Sequence, residues 1–438
     1  MKPYSELKRR IERDKARKAE ARARLHAEHD GLDQIVTYGH WTKAILVSNR
    51  GSDFKRSVQA FNGKSILLMH DMIRTIRNGG LPDVATSKEC WIRERGKARK
   101  ITPVTVDDRS MQHVISDNAL MPMLRRCVIR QNCANQRGKG TRDARQLLDR
   151  YLELAKRRWG SEIWVWTFDF RNFFGSIRHS ECLRALRRLL DDERLIRLAM
   201  LIITSYQVKR LREARKTGEC SQDDFDAGME RLMRWEGAGI CLGSQISQDM
   251  AITVPDPVDR LIKQSMPYYV RFADDGIVIW NNRDDLAQLM KACSETAAGI
   301  GLAFHPDKTQ IRRAQQGFVF LKVRYVLDGR KTIKRLSGSS VVRMRRKLKK
   351  FRRLTDAGKM TADDAWMSLQ SWMAHTRGTR SRSARKRMVR LYDELFGGES
   401  NGLLQDPVGQ QDRRGVKHER PEEVAAKVQP GGGGEGSG

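Results

Sequence analysis

Two short apolar arms, Tyr268–Phe272 and Ile277–Trp280, flank Asp274, Asp275 and Gly276, and the pattern predicts a β-hairpin with an acidic tip. Upstream, Ile163–Phe168 is an unbroken apolar and aromatic run that ends in Asp169, as a strand buried on both faces should read. Strand spacing is also expected at Trp91–Val106, a hairpin with its tip at Arg95–Ala98, at Leu302–Phe304, and along Gly317–Tyr325 to the turn Asp328-Gly329. Helical spacing is expected over residues 1–30, where Leu7, Ile11 and Leu25 are the few apolar points. It recurs over Lys55–Asn78 (Phe61, Ile66, Leu67, Met69, Ile73, Ile76), Met111–Ile129, Asp143–Ala155, His179–Tyr206 and Lys209–Trp235. After a Gly-led loop at Gly237–Gln248 a helix continues to about Ile252, and Asp284–Ala298 carries helical spacing again. In the last third, Val341, Met344, Leu348 and Phe351 mark one helix face whose other face is nearly all Arg and Lys. Segments Ala362–Thr376 and Ser383–Phe396 follow. Beyond Gly397 the chain is polar and of low complexity, and is expected to be disordered.

Charge sharpens this outline. Over 438 residues the formal net charge is +31, which points to a polyanionic partner. No apolar run approaches the length that spans a bilayer, so nucleic acid is expected rather than membrane. The N-terminus lacks the apolar segment of a signal peptide. The seven cysteines form no CxxC pair and no zinc spacing, and read as free buried thiols of a reducing cytoplasm.

The chemistry sits in the acids. Adjacent Asp274 and Asp275 repel each other unless a cation lies between them. Asp169, at the end of a buried strand, is costly unless paired with an Arg such as Arg171 or bound to metal. Three such carboxylates suit two Mg²⁺ ions about 3.5–4 Å apart, which clamp the attacking and leaving oxygens of a phosphoryl displacement. Gln136-Arg-Gly-Lys-Gly-Thr-Arg142 resembles a phosphate cradle without P-loop spacing. The basic hairpin around Lys97, Arg99 and Lys100 either folds over a triphosphate or is an edge charged against aggregation.

In their order these motifs resemble a prokaryotic reverse transcriptase, related to retron, group II intron and diversity-generating retroelement enzymes. Phe272-Ala-Asp-Asp275 resembles the YxDD box and Asp169-Phe-Arg-Asn-Phe-Phe174 the first catalytic-Asp motif. The resemblance implies an α+β fold of right-hand architecture: a basic extension (1–54), fingers (55–162), a palm of antiparallel sheet and helices (163–330, with a helical insertion at about 207–236), a helical thumb (331–397) and a tail (398–438). It implies catalysis by Asp169, Asp274, Asp275 and Lys308, with Asp169, Phe170, Asp274 and Asp275 at two Mg²⁺ ions, Mn²⁺ being an alternative. Arg99, Lys97, Phe173, Phe174, Gly243 and Gln248 would meet the dNTP, Phe174 as the steric gate against a ribose 2′-OH. Template and primer would be held by Lys139 and Arg142, by Phe320, Leu321 and Lys322 of a primer grip, and by Arg345, Arg346 and Lys349. Leu242-Gly-Ser-Gln-Ile-Ser-Gln248 departs from the usual QGxxxSP and is similar to the loop of diversity-generating retroelement enzymes, implying error-prone copying opposite adenine. The implied partners are an RNA template, cDNA or primer, dNTPs and an accessory protein of the retroelement, with no membrane and in the cytoplasm. A phage-defence or retron enzyme and a non-catalytic, maturase-like RNA binder are the alternatives.

Overall fold

The computed structural model describes residues 4–80, 90–94, 97–101, 103–329, 331–336 and 338–397. Its first helices are α1 (Tyr4–His29), α2 (Leu32–Ile35), α3 (Tyr38–Asn49), α4 (Arg56–Asn62) and α5 (Ser65–Arg77). A hairpin of β1 (Cys90–Glu94) and β2 (Lys97–Ile101) follows, then α6 (Val106–Ile115), a π-helical turn at Ser116–Leu120, α7 (Met121–Cys127) and α8 (Thr141–Trp159). Next come β3 (Trp164–Asp169), the short α9 (Phe173–Ser176), α10 (His179–Leu189), α11 (Glu193–Lys216), α12 (Gln222–Met233), α13 (Gln245–Thr253) and α14 (Asp256–Ser265). The acidic hairpin is β4 (Tyr268–Phe272) and β5 (Asp275–Trp280). It leads to α15 (Arg283–Gly299), β6 (Gln310–Arg313), β7 (Phe318–Phe320), β8 (Val323–Asp328) and β9 (Lys331–Leu336). Helices α16 (Gly338–Asp356), α17 (Ala362–His375) and α18 (Arg382–Phe396) complete the described chain. None of the described helices is long and apolar enough to cross a membrane.

The chain divides into two units, Met1–Lys334 and Arg335–Gly438. In the first, a four-stranded sheet in the order β4-β5-β3-β6 is antiparallel at every pairing. Alternation along its strands feeds two separate cores, because successive side chains point to opposite faces. Val165, Val270, Ile277 and Ile279 join Leu148 and Leu152 of α8 and the β7–β8 hairpin on one face. Trp166, Phe168, Tyr269 and Val278 join the helical layer of α10, α11, α13, α14 and α15 on the other. Such double-faced burial makes the sheet a rigid floor for whatever its strand ends carry. At Gly276 a Cβ would fall 2.1 Å from the Phe168 ring, so only glycine lets that ring lie across the ladder. In the second unit Met344, Leu348, Leu369, Met388 and Val389 form a small three-helix core.

Several expectations needed correction. Lys55–Asn78 is two helices, with Ile66 and Leu67 both 73% exposed while Met69 and Ile76 are buried; the break at Gly63-Lys64 rotates the second face. His179–Tyr206 breaks at Leu190–Asp192, where Asp192 caps the new helix by accepting from the amides of Arg194 and Leu195. Gly317–Tyr325 is a tight hairpin rather than one strand, since Leu321 (φ 45°) and Lys322 (φ 70°) reverse the chain. Leu302–Phe304 pairs only at Phe304, with Phe170. Helix α14 lay outside the expected elements. Of the described thiols, Cys133, Cys182 and Cys293 are buried, while Cys127, Cys220 and Cys241 are half-buried.

Candidate active site

Asp169 and Asp275 are direct partners across the β3–β5 ladder. Asp274 sits in the turn beside them, and its carbonyl accepts from the Phe170 amide at 3.3 Å. The ladder thus brings residues more than a hundred positions apart to within a side chain's reach. Asp169 is 8% exposed, and Lys308 Nζ donates to its Oδ2 at 2.7 Å. The His305 amide donates to the Asp169 carbonyl at 2.7 Å, so the turn carrying Lys308 is tied to the strand end it serves. Burial, then the charges of Asp274 and Asp169, push the Asp275 carboxyl up to about 7, with Lys308 pulling the other way. Lys308 is the ammonium against Asp169, and the hard oxygen donors of the cluster suit Mg²⁺.

What holds the acidic turn in place is a buried ion pair. Arg271, the penultimate residue of β4, is fully buried; its Nε and Nη2 donate to Asp259 Oδ1 and Oδ2, both at 2.7 Å. Nη1 donates to the Ala273 carbonyl at 2.8 Å and Nη2 also to the Ile252 carbonyl at 2.9 Å. Tyr269 adds an O–H bond to Asp259 Oδ1 at 2.6 Å. Ala273 has φ 54°, a left-handed conformation that the Arg271 bond supports. None of Asp259, Tyr269 and Arg271 was picked out from the sequence. The available signals were an arginine inside an arm read as a strand and the acids Asp256 and Asp259 three apart on one amphipathic helix.

The loop–helix at Leu242–Gln248 is fastened similarly. Gln248 Nε2 donates to the Leu242 carbonyl at 3.2 Å, closing its own loop, while Gly243 is exposed. The Gln245 amide donates to Gln112 Oε1 at 2.7 Å. Asp249, fully buried, accepts from Ser116 Oγ at 2.6 Å, Asn135 Nδ2 at 3.1 Å and Gln245 Nε2 at 3.3 Å. Burial, outweighing those donors, raises its carboxyl to about 8. The folded chain therefore keeps a proton that the unfolded chain sheds above its ordinary value of 3.8, so this group's contribution becomes less favourable as pH rises from about 4 to about 8. Asp249→Asn is expected to melt higher than wild type at pH 8 by a margin that shrinks towards pH 5, as paired thermal melts would register.

Phe173 is buried and stacks on Phe170 at 5.3 Å, whereas Phe174 is only half-buried. Lys139 Nζ donates to the Asn132 carbonyl at 3.0 Å, so it braces its loop, and Arg142 is exposed. A cleft of about 320 Å³ is shared by Asp169, Asp275, Lys308, Arg312, Phe318 and Phe320. That places the β7–β8 hairpin beside the acids. Its Leu321-Lys322 turn, with two non-glycine residues in left-handed conformation, is pinned by Arg145 Nη2 donating to the Leu321 carbonyl at 2.6 Å. Lys97 and Arg99 stand in β2 opposite Glu94 and Ile92; their side chains lie outside the described residues. Arg345, Arg346 and Lys349 are exposed on α16.

The family described as "Reverse transcriptase (RNA-dependent DNA polymerase)" matches residues 86–325, more than half of the chain. The chain belongs to the reverse transcriptase family. Among solved structures it is similar to telomerase from Candida albicans in complex with a TWJ fragment of telomeric RNA (9% identity, TM-score 0.39, 76% of this chain and 63% of that one). It is also similar to apo telomerase from Candida tropicalis (12% identity, TM-score 0.37, 76% and 62%). The chain thus spans less than two thirds of those telomerase chains. No curated protein matches it.

Proposed function

We propose that the chain is an RNA-directed DNA polymerase that adds dNTPs to a primer 3′-OH by two-metal nucleotidyl transfer. The observation carrying this reading is the cross-strand pair Asp169–Asp275 with Asp274 adjacent and Lys308 against Asp169. Asp169, Asp274 and Asp275, with Phe170 beside them, would hold two Mg²⁺ ions. When bound, these supply charge stabilisation at the attacking and leaving oxygens. Lys308, already at the acids, is the proton source for departing pyrophosphate. Arg99 and Lys97 take the triphosphate, and the guanidinium fork suits bidentate contact. Gly243 and Gln248 belong to the wall at the templating pair. The Phe320–Lys322 turn grips the primer, and Lys139, Arg142, Arg345, Arg346 and Lys349 meet template–primer phosphates.

Phe174, the more accessible of the aromatic pair, is the steric gate in this reading. Phe174→Ala is expected to raise ribonucleotide incorporation relative to deoxynucleotide by about 10–100-fold, measured as the ratio of kcat/KM values. The loop Leu242–Gln248 supports the finer reading of a diversity-generating retroelement enzyme that miscopies template adenines. The deciding assay supplies purified protein with Mg²⁺, a primed RNA template and dNTPs. Template-dependent extension is expected. Extension without template would favour the defence enzyme, and RNA binding without extension a maturase-like scaffold.

A further inference from the structure

A basic cleft of about 810 Å³ opens between α1 and the helices packed beside it. Arg17, Lys18 and Arg22 line it from α1, and Arg126, Arg188 and Arg260 from α7, α10 and α14. It shares no lining residue with the cleft at the catalytic acids. Helix α1 carries five acids, Glu6, Glu12, Asp14, Glu20 and Glu28, and none is among the described lining residues. A merely solvated helix would intersperse the two signs, although the exposed Arg17 does reach Asp14 at 3.3 Å.

Two of the guanidiniums are fixed in place. Arg188 Nη1 and Arg260 Nε lie 3.0 and 2.6 Å from the same Asp256 Oδ2, which is fully buried. Arg260 Nη2 also donates to the Cys127 carbonyl at 2.6 Å. One carboxylate between two arginines leaves a net positive charge on an oriented pair, as phosphate recognition requires. Leu25, half-buried, supplies apolar surface within the same cleft, while Met123 and Leu189, which also line it, are buried. The α1 wall is itself anchored: Asp30 accepts from the amides of Asp191 and Asp192 at 2.6 and 3.1 Å, and Asp192 accepts from the Leu32 amide at 2.8 Å.

We propose that this cleft is a second polynucleotide site, which takes an unpaired strand with its phosphates on the arginines and a base against Leu25. Cations beside apolar surface match splayed, single-stranded nucleic acid rather than a closed duplex, whose bases are stacked away. Occupancy of this cleft is independent of polymerase activity, being scored by binding and not by extension.

The test is fluorescence anisotropy of the full chain with a short labelled oligo-uridine RNA, the DNA of matching sequence, and a blunt duplex, each across a salt series. Lys18→Glu with Arg22→Glu is expected to weaken single-strand binding at least about tenfold and to reduce the slope of log affinity against log salt by about 1.4, two phosphate contacts at about 0.7 each. The control, Arg13→Glu with Arg24→Glu, makes the same charge change at exposed α1 positions outside the cleft and is expected to shift affinity no more than about twofold. Arg126→Glu, on the opposite wall, should reproduce the loss even if the α1 variants loosen that helix. Selective loss on RNA, on DNA or on both supports the site and says which polymer occupies it. Equal losses in the control pair, unchanged binding in Arg126→Glu, or duplex binding weakened by Lys18→Glu with Arg22→Glu as much as single-strand binding would overturn it.

Discussion

Asp169→Asn should lower template-dependent extension by about a thousandfold or more while leaving the melting temperature within a few degrees of wild type. The loss follows from removing a charge that would hold Mg²⁺ where negative charge develops, a type of contact worth on the order of 10²–10³ in rate or more. The unchanged stability follows from two small opposing effects. Lys308 loses its 2.7 Å partner, but its end of the bridge is 45% exposed, and such pairs contribute only about 0–1 kcal/mol. In return, Asp275 is relieved of one of the charges that raise its carboxyl to about 7. Single-turnover extension alongside a thermal melt separates the two quantities. Retained extension would remove Asp169 from the catalytic set, and a collapse in melting temperature would make it a structural acid.

Arg271 should behave in the opposite way, through stability first. Replacing it by Met strands the Asp259 charge in a dry interior and leaves the carbonyls of Ala273 and Ile252 without their donor. Breaking one side of a buried pair costs about 3–5 kcal/mol, readable as a fall in the denaturation midpoint. Arg271→Met combined with Asp259→Leu should recover most of that loss, since no unpaired charge remains. Activity should not return with it. The Ala273 carbonyl stays unsupported, and misplacing catalytic groups by about 1 Å costs on the order of 10²-fold. Arg271→Lys should fold, because the charge is kept, yet lower kcat more than it changes KM for primer–template, because a point charge cannot span Asp259, Ala273 and Ile252 together. If the double variant is as active as wild type, Arg271 is only a core ion pair and not a positioning residue.

The strands that build the site were legible because their cause is local. An apolar run ending in Asp169, and two β-rich arms around Asp274-Asp275, meet period-two burial on both faces, and the structure has β3, β4 and β5 at those positions. The three-helix pattern of the last third was legible for the same reason, each helix presenting one apolar stripe. Gly317–Tyr325 was misread as a single strand because neither Leu321 nor Lys322 is a turn residue by type. Their left-handed conformations are sustained by Arg145, a residue 176 positions away that donates to the Leu321 carbonyl.

By itself, then, the sequence determined the strands that carry the acids and the helices of the last third, that the chain is strongly basic, and that Asp169, Asp274 and Asp275 are costly to leave alone; all of these depend on residue type and short-range period. The tertiary structure alone decided that Asp169 faces Asp275, that Lys308 closes on Asp169, and that Arg271 and Asp249, two buried charged-type side chains, join the surrounding elements. It also decided that cations from α1, α7, α10 and α14 share one cleft. Those pairings join residues far apart in the chain, and what selects them is the cost of burying a charge without a partner, which no local window of residues can express.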